Sequence, residues 1–395
     1  MNLKYYFFLL LACLVTSVFS QQITLSEKAT ISVITCGSGQ ELYSSFGHSA
    51  FRVQDSTHGI DWVYNYGTFN FDTPNFYLKF AQGKLLYSLS KQRFENFLYS
   101  YQLENRWVKE QILNLDNDTK TVLFEFLEQN HQPENRDYKY DFLYENCSTK
   151  MPDILKTVLG DTLVFLPPSE FSPTTFRSLI QENLHTNSWS SFGIDLALGA
   201  VIDKNATLRQ MMFLPNYVLH QFNRAELNGE PLVTRERTIL DYNNVNSENY
   251  FTTSPMFWFL LLLLFTITIT GIDLKNGSRS QILDFFLYFI SGMAGIVLFF
   301  LWFLTDHSAT ALNYNILWAF PLNLVGSYYL AHKHNIPDWL PKYVIVQVGL
   351  LVVVIFLWIF QVQVFSPILI IILFIYAIRY GFLIFHFNKN AAKIR

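Results

Sequence analysis

Residues 255–272 read PMFWFLLLLLFTITITGI, eighteen positions without one charged side chain. A stretch of that length and apolarity spans a bilayer core of about 30 Å as a helix. Four further runs of similar character follow, at 285–304, 311–331, 343–362 and 366–387. The third is interrupted by Asn313, Asn315, Pro321 and Asn323. The sequence therefore predicts an all-α domain of five membrane helices over residues 251–395.

Working outward, the charge distribution separates two solvents. Only 12 of the 59 Asp, Glu, Lys and Arg residues lie in residues 251–395. The first 250 residues sum to −7 and the last 145 to +4. An acidic water-facing part argues against a nucleic-acid partner, which needs a basic face. If residues 21–250 lie outside, the inner segments are 273–284, 332–342 and 388–395. They hold Lys275, Arg279, Lys333, Lys342, Lys389, Lys393 and Arg395, whereas the outer turns 305–310 and 363–365 hold no Lys or Arg. This asymmetry follows the positive-inside rule and predicts a cytoplasmic C-terminus. Arg379 is the one basic residue within a span; it is expected to snorkel to the inner end, and no paired charge network suggesting an ion path is expected.

The N-terminus supports the same orientation. Lys4 precedes an apolar run, Tyr5 to Phe19, with Val18 and Ser20 at the −3 and −1 positions before Gln21. This reads as a secretory signal peptide over residues 1–20, cut after Ser20, with an uncleaved anchor as the alternative. The mature chain then keeps only Cys36 and Cys147. Outside the cytosol two cysteines admit either one disulfide or one working thiol beside a bystander.

Residues 21–250 read as an α+β domain. Strands are expected at 31–36, 48–54, 60–66, 84–90 and 106–114, and helices at 92–101, 117–130 and roughly 150–159. Pro152 suits a helix that begins near Lys150 or Met151, with Cys147 at its entry turn. A helix N-terminus lowers a thiol pKa. His48 opens a strand and Asn65 ends the next. A thiol, an imidazole and a polar group that orients it form a cysteine-nucleophile set. On residue type alone, Cys147 is equally a buried thiol and His48 a strand-end histidine. No CxxC or HExxH spacing is present, so neither metal nor soluble cofactor is expected.

The combination of motifs resembles a known pattern: Gly47-His48-Ser49-Ala50-Phe51-Arg52-Val53, Tyr64-Asn65-Tyr66-Gly67, Pro74-Asn75-Phe76, Tyr138-x-Tyr140-Asp141-Phe142, Asn146-Cys147-Ser148-Thr149 and Phe213-Leu214-Pro215. Together with Thr305-Asp306-His307 and Asn313-Tyr314-Asn315, these are similar to the Lnb-type family, associated with bacterial lipoprotein N-acylation. A more distant likeness is to permuted papain-like enzymes of the lecithin–retinol acyltransferase type. The likeness implies Cys147 as nucleophile, His48 as base and Asn65 as orienting group. Asn65 departs from the lecithin–retinol pattern, which has a second His there.

The resemblance further implies an acyl donor among membrane phospholipids and a diacylated lipoprotein acceptor. Both lie at the outer leaflet of the bacterial inner membrane, in contact with membrane lipids. Asn146, Tyr64, Tyr66 and Tyr140 are candidate substrate contacts, shaping the pocket or packing behind it. Asp306, His307 and Asn315, with Asn313 and Trp318, form either an interfacial loop with caps or a polar pocket for a lipid headgroup or a lipid-anchored substrate. The competing readings are a membrane-anchored cysteine hydrolase or amidase acting on cell-wall peptides or lipids, and a scaffold with Cys36 and Cys147 disulfide-bonded.

Overall fold

A computed structural model describes residues 24–242, 250–333 and 336–394. The expected signal peptide lies outside the described residues. The first part is a mixed α/β domain built on a seven-stranded antiparallel sheet. Its strands are β1 (Thr30–Cys36), β2 (His48–Asp55), β3 (Ile60–Thr68), β4 (Leu86–Arg93), β5 (Val108–Leu113) and β6 (Asp137–Lys139). A last strand, Val233–Leu240, closes the edge beside β5, giving the spatial order Val233–Leu240, β5, β1, β2, β3, β4, β6. β1 pairs with β2 so that Cys36 faces His48 across the ladder.

Both faces of the central strands are buried, because side chains alternate along a strand and helices cover both sides. Ile31, Val33, Phe51, Tyr64 and Tyr66 pack under the helices Asn117–His131 and Cys147–Leu159. Ile34, Cys36, Ala50 and Val63 pack against the helix Phe94–Leu103. By the same alternation Asn65 shares a face with Val63 and opposes Tyr64 and Tyr66.

The Cys147–Leu159 helix begins earlier than the expected Lys150 or Met151, and Pro152 lies inside it. Asn146 is the reason. Its Oδ1 accepts from the Ser148 and Thr149 amides while Thr149 Oγ1 accepts from the Asn146 amide. This capping box fixes the helix start one residue after Asn146. The proline costs one backbone hydrogen bond within the second turn.

Among the described residues, the C-terminal part contains four helices long and apolar enough to cross a membrane: Pro255–Asn276, Gln281–Phe303, Trp339–Ile359 and Leu369–Ile394. Their apolar windows have mean hydropathies between 2.1 and 2.4. The third expected span, 311–331, is not a continuous helix. It comprises the 3-10 turn Tyr314–Leu317, an irregular stretch through Pro321 and the eight-residue helix Asn323–Leu330. Pro321 has no amide to donate, and Asn313 Oδ1 accepts from the Asn315 amide, a local bond that competes with helix. Irregular backbone at this depth is tolerated because protein surrounds it. The helix Gln281–Phe303 comes so close that a Cβ on Gly295 would lie 2.0 Å from the Ala319 carbonyl oxygen.

Arg379 does not snorkel, and the expectation of no paired charges in the helical body is also corrected. The Arg379 side chain is fully buried, with Nε 2.5 Å from Asp284 and Nη2 2.8 Å from Asp273. Arg279 adds a 3.0 Å pair to Asp284. The turn between the first two helices thus brings two carboxylates to one guanidinium, at the end remote from the α/β domain. Neutralisation within the cluster removes the drive to reach water.

The two parts are docked. The Gly199 and Ala200 amides donate to the Ala309 and Leu312 carbonyls, both at 3.0 Å. Trp189 Nε1 donates to Thr253 O, and the Asp306 amide to Gln82 O.

Candidate functional site

The site forms where β2 begins, β3 ends and the Cys147 helix starts. Gly47, at φ +80°, turns the chain into β2 where a Cβ would lie 2.7 Å from the Cys36 carbonyl oxygen. Gly67, at φ +89°, is the last residue but one of β3, with its Cβ position 3.6 Å from Cys147 Cβ. Both positions favour glycine.

His48 Nε2 lies 2.5 Å from Asn65 Oδ1. An amide oxygen only accepts, so Nε2 carries the proton and Nδ1 is left for the thiol. Burial pushes the Cys147 thiol up, but the His48 charge, the hydrogen bond to it, the Ser49 amide and the Ser148 hydroxyl together bring it down to about 7. Burial pushes the His48 imidazole down, yet the Cys147 thiolate and the bonds to it and to Asn65 hold it above its ordinary value. A thiol brought to about 7 is about half thiolate at neutral pH, with His48 positioned to hold the proton it gives up.

Both Cys36 and Cys147 are free. Burial raises the Cys36 thiol to about 12, so it is the inert one. The disulfide alternative does not occur.

Cys147 and His48 line a cavity of about 500 Å³. Phe69, Phe80, Tyr87 and Tyr140 form one wall, and residues 306–310, from the loop after the second membrane helix, form another. The cavity is mostly apolar and reaches the place where the α/β domain meets the helical body. The loop is fixed there by the Lys139–Asp306 ion pair at 2.8 Å and by Ser308 Oγ donating to Asp141 at 2.5 Å.

The expected site residues separate into two groups. Cys147, His48, Asn65, Tyr140, Asp306 and His307 come together at or directly behind the cavity. Tyr64 and Tyr66 do not reach it. Strand alternation turns them into the core, where the Tyr64 hydroxyl donates to Glu128 and the Tyr66 hydroxyl accepts from Asn130. Asn146 touches the cavity, but its side chain is committed to the helix cap and to the Phe142 and Phe213 carbonyls. Asn315 is also absent from the cavity. Its Nδ2 donates to Asp195 O and its Oδ1 accepts from Trp318 Nε1, which clasps the helix Trp189–Ala197. The polar cluster at the outer end is thus two clusters, one facing the cavity and one joining the domains.

Sequence reasoning passed over Ser49, Ser148 and Tyr87. The Ser148 hydroxyl lies 3.8 Å from the Cys147 sulfur, and Tyr87 stacks on Tyr140 with ring centroids 4.2 Å apart. Ser49 and Ser148 are adjacent to His48 and Cys147 in sequence, which is the signal that could have found them. Burial and the nearby sulfur hold the Tyr140 phenol well above its ordinary range, so it remains a donor.

Fold and site together define a class: a membrane protein whose α/β domain holds a thiol–imidazole pair in a cavity completed by its helical body. Residues 17–182 match the Lnb N-terminal periplasmic domain, and residues 246–391 match the Lnb transmembrane domain. The chain carries both domains in order and belongs to the Lnb family. No curated protein and no solved structure matches it. Family membership makes it a membrane protein with a periplasmic segment and points to a lipoprotein-processing enzyme.

Proposed function

We propose that this chain is a lipoprotein N-acyltransferase that carries an acyl chain from a phospholipid, through a thioester on Cys147, to the α-amine of a diacylglyceryl-cysteine. The observation that carries this reading is the thiol lowered to about 7 beside His48, in an apolar cavity walled partly by the membrane domain's own loop. A hydrolase tethered to the membrane has no need of that shared wall. Seven Lys and Arg in the segments 273–284, 332–342 and 388–395, against none in 305–310 and 363–365, support a periplasmic site and a cytoplasmic C-terminus.

His48 Nδ1 takes the Cys147 proton, and the thiolate adds to the ester carbonyl carbon of the donor. The oxyanion accepts from donors around Cys147. The Ser148 and Thr149 amides are already bonded to Asn146, which leaves the Cys147 amide at the first helical position and the Tyr140 phenol. The C–O bond breaks, and His48 returns its proton to the departing lysophospholipid oxygen. The lipoprotein α-amine then adds to the thioester carbon and loses a proton to His48. The C–S bond breaks and the thiolate is regenerated. Asn65 keeps the imidazole in the required tautomer through both halves. Asp306 and His307 stand where the amine enters from the lipid phase.

The test is mass spectrometry of lipoprotein N-termini from cells in which this chain is the sole candidate N-acyltransferase. N-acylated termini are expected with the intact chain and diacylated termini with Cys147→Ala. Triacylated termini in the Cys147→Ala cells refute the nucleophile. Asp306→Ala and His307→Ala are expected to slow transfer to the amine; unchanged transfer in both removes their role.

A further inference from the structure

The segment between β3 and β4 exposes large apolar side chains, interspersed with the exposed Asn70, Asp72 and Asn75. Residues 69–80 read FNFDTPNFYLKF. Phe71 is 67% exposed, Tyr77 80%, Leu78 55% and Phe80 52%. They surround Phe76, whose ring lies 4.9 Å from that of Phe71 and 6.3 Å from that of Phe80, so the ridge is held by its own aromatic packing. A contiguous exposed patch of this kind marks a binding surface rather than ordinary surface composition.

Its position identifies the occupant. Directly after the ridge, Gln82 O accepts from the Asp306 amide at 2.8 Å, and the Phe80 carbonyl meets His307 Nε2 at 3.2 Å. Asp306 and His307 follow the membrane helix that ends at Phe303. The ridge is therefore continuous with the outer end of the helical body, at the level where aromatic side chains anchor membrane proteins. Lys79 within it and Lys84 just beyond it suit lipid phosphates. On its inner side Phe69 and Phe80 wall the cavity that contains Cys147.

We propose that residues 69–80 insert into the outer lipid leaflet and form the mouth through which a phospholipid acyl chain reaches Cys147. The delivery role rests on the acyltransferase reading above; the insertion does not.

The full chain is reconstituted in vesicles of phosphatidylethanolamine and phosphatidylglycerol, with the photo-crosslinking residue benzoylphenylalanine at position 77 or 78. Irradiation is expected to yield phospholipid-mass adducts at both positions, about tenfold above those at exposed Tyr99 on the helix Phe94–Leu103. Adducts at the Tyr99 level, or covalent dimers in place of lipid adducts, overturn the insertion. In a Tyr77→Ser/Leu78→Ser variant, Cys147 acylation from vesicle phospholipid is expected to fall about tenfold relative to acylation from water-soluble p-nitrophenyl butyrate. An equal fall with both donors overturns the delivery role. If unaltered Cys147 is acylated by neither donor, the acyltransferase reading fails, while the lipid adducts still decide the insertion.

Discussion

Replacing His48 with Ala isolates the interaction that sets the Cys147 thiol. Two influences oppose each other in the native site, with burial pushing the thiol up and the imidazolium holding it at about 7. Without the imidazole only burial and the smaller contributions of the Ser49 amide and Ser148 hydroxyl remain, so the thiol returns to or above its ordinary value of 9.0. At pH 7 the thiolate fraction then drops from about one half to about one in a hundred. The rate of alkylation falls less steeply, because a more basic thiolate is intrinsically more nucleophilic. The midpoint is therefore the better readout. Iodoacetamide labelling of the detergent-solubilised chain is followed from pH 5 to 10, with the Cys147 peptide quantified by mass spectrometry. The sign follows from the protonation step: labelling rises with pH as the thiol loses its proton. The midpoint is expected near pH 7 for the native chain and at or above pH 9 for His48→Ala. Cys36, buried and raised to about 12, stays unlabelled in both. A His48→Ala midpoint that remains near 7 refutes the ion pair.

Asn65→Ala leaves the Cys147 midpoint near its native position but frees the imidazole to choose the wrong tautomer. Acyl transfer is expected to slow about tenfold, the equivalent of one orienting hydrogen bond, as read by single-turnover kinetics. Asn146→Ala removes the helix cap and leaves the Phe142 and Phe213 carbonyls without their donor. It is expected to cost about 1–2 kcal/mol or more, measured by thermal unfolding of the detergent-embedded chain. Asp284→Ala leaves Arg379 buried with one carboxylate fewer. A loss of about 3–5 kcal/mol is expected in the same assay, with the Cys147 alkylation midpoint unmoved.

The sequence was most legible where one physical signal dominated. Four long apolar runs read directly as helices, and strands β1, β2, β3 and β5 emerged within two residues of their observed ends because β-branched and aromatic residues crowd them. The Cys147, His48 and Asn65 set was legible through its position at element ends. Competition between local and tertiary bonds was not legible. Segment 311–331 has the hydropathy of a span, yet Asn313 and Asn315 spend their amides on carbonyls of the helix Trp189–Ala197, a partner more than a hundred residues away. Arg379 read as a lone cation because its partners, Asp273 and Asp284, lie on other helices. Tyr64 and Tyr66 flank Asn65 in the chain, and the pleat of β3 sends them to the opposite face from His48.

The central claim is that Cys147 carries the acyl group. Intact-mass analysis of the purified chain after incubation with phospholipid, without any lipoprotein, examines it directly. The account predicts an added mass of one acyl chain on the Cys147 peptide, removed by neutral hydroxylamine and transferred when a diacylated lipopeptide is supplied. An unmodified Cys147 in a preparation that nonetheless acylates the lipopeptide contradicts it.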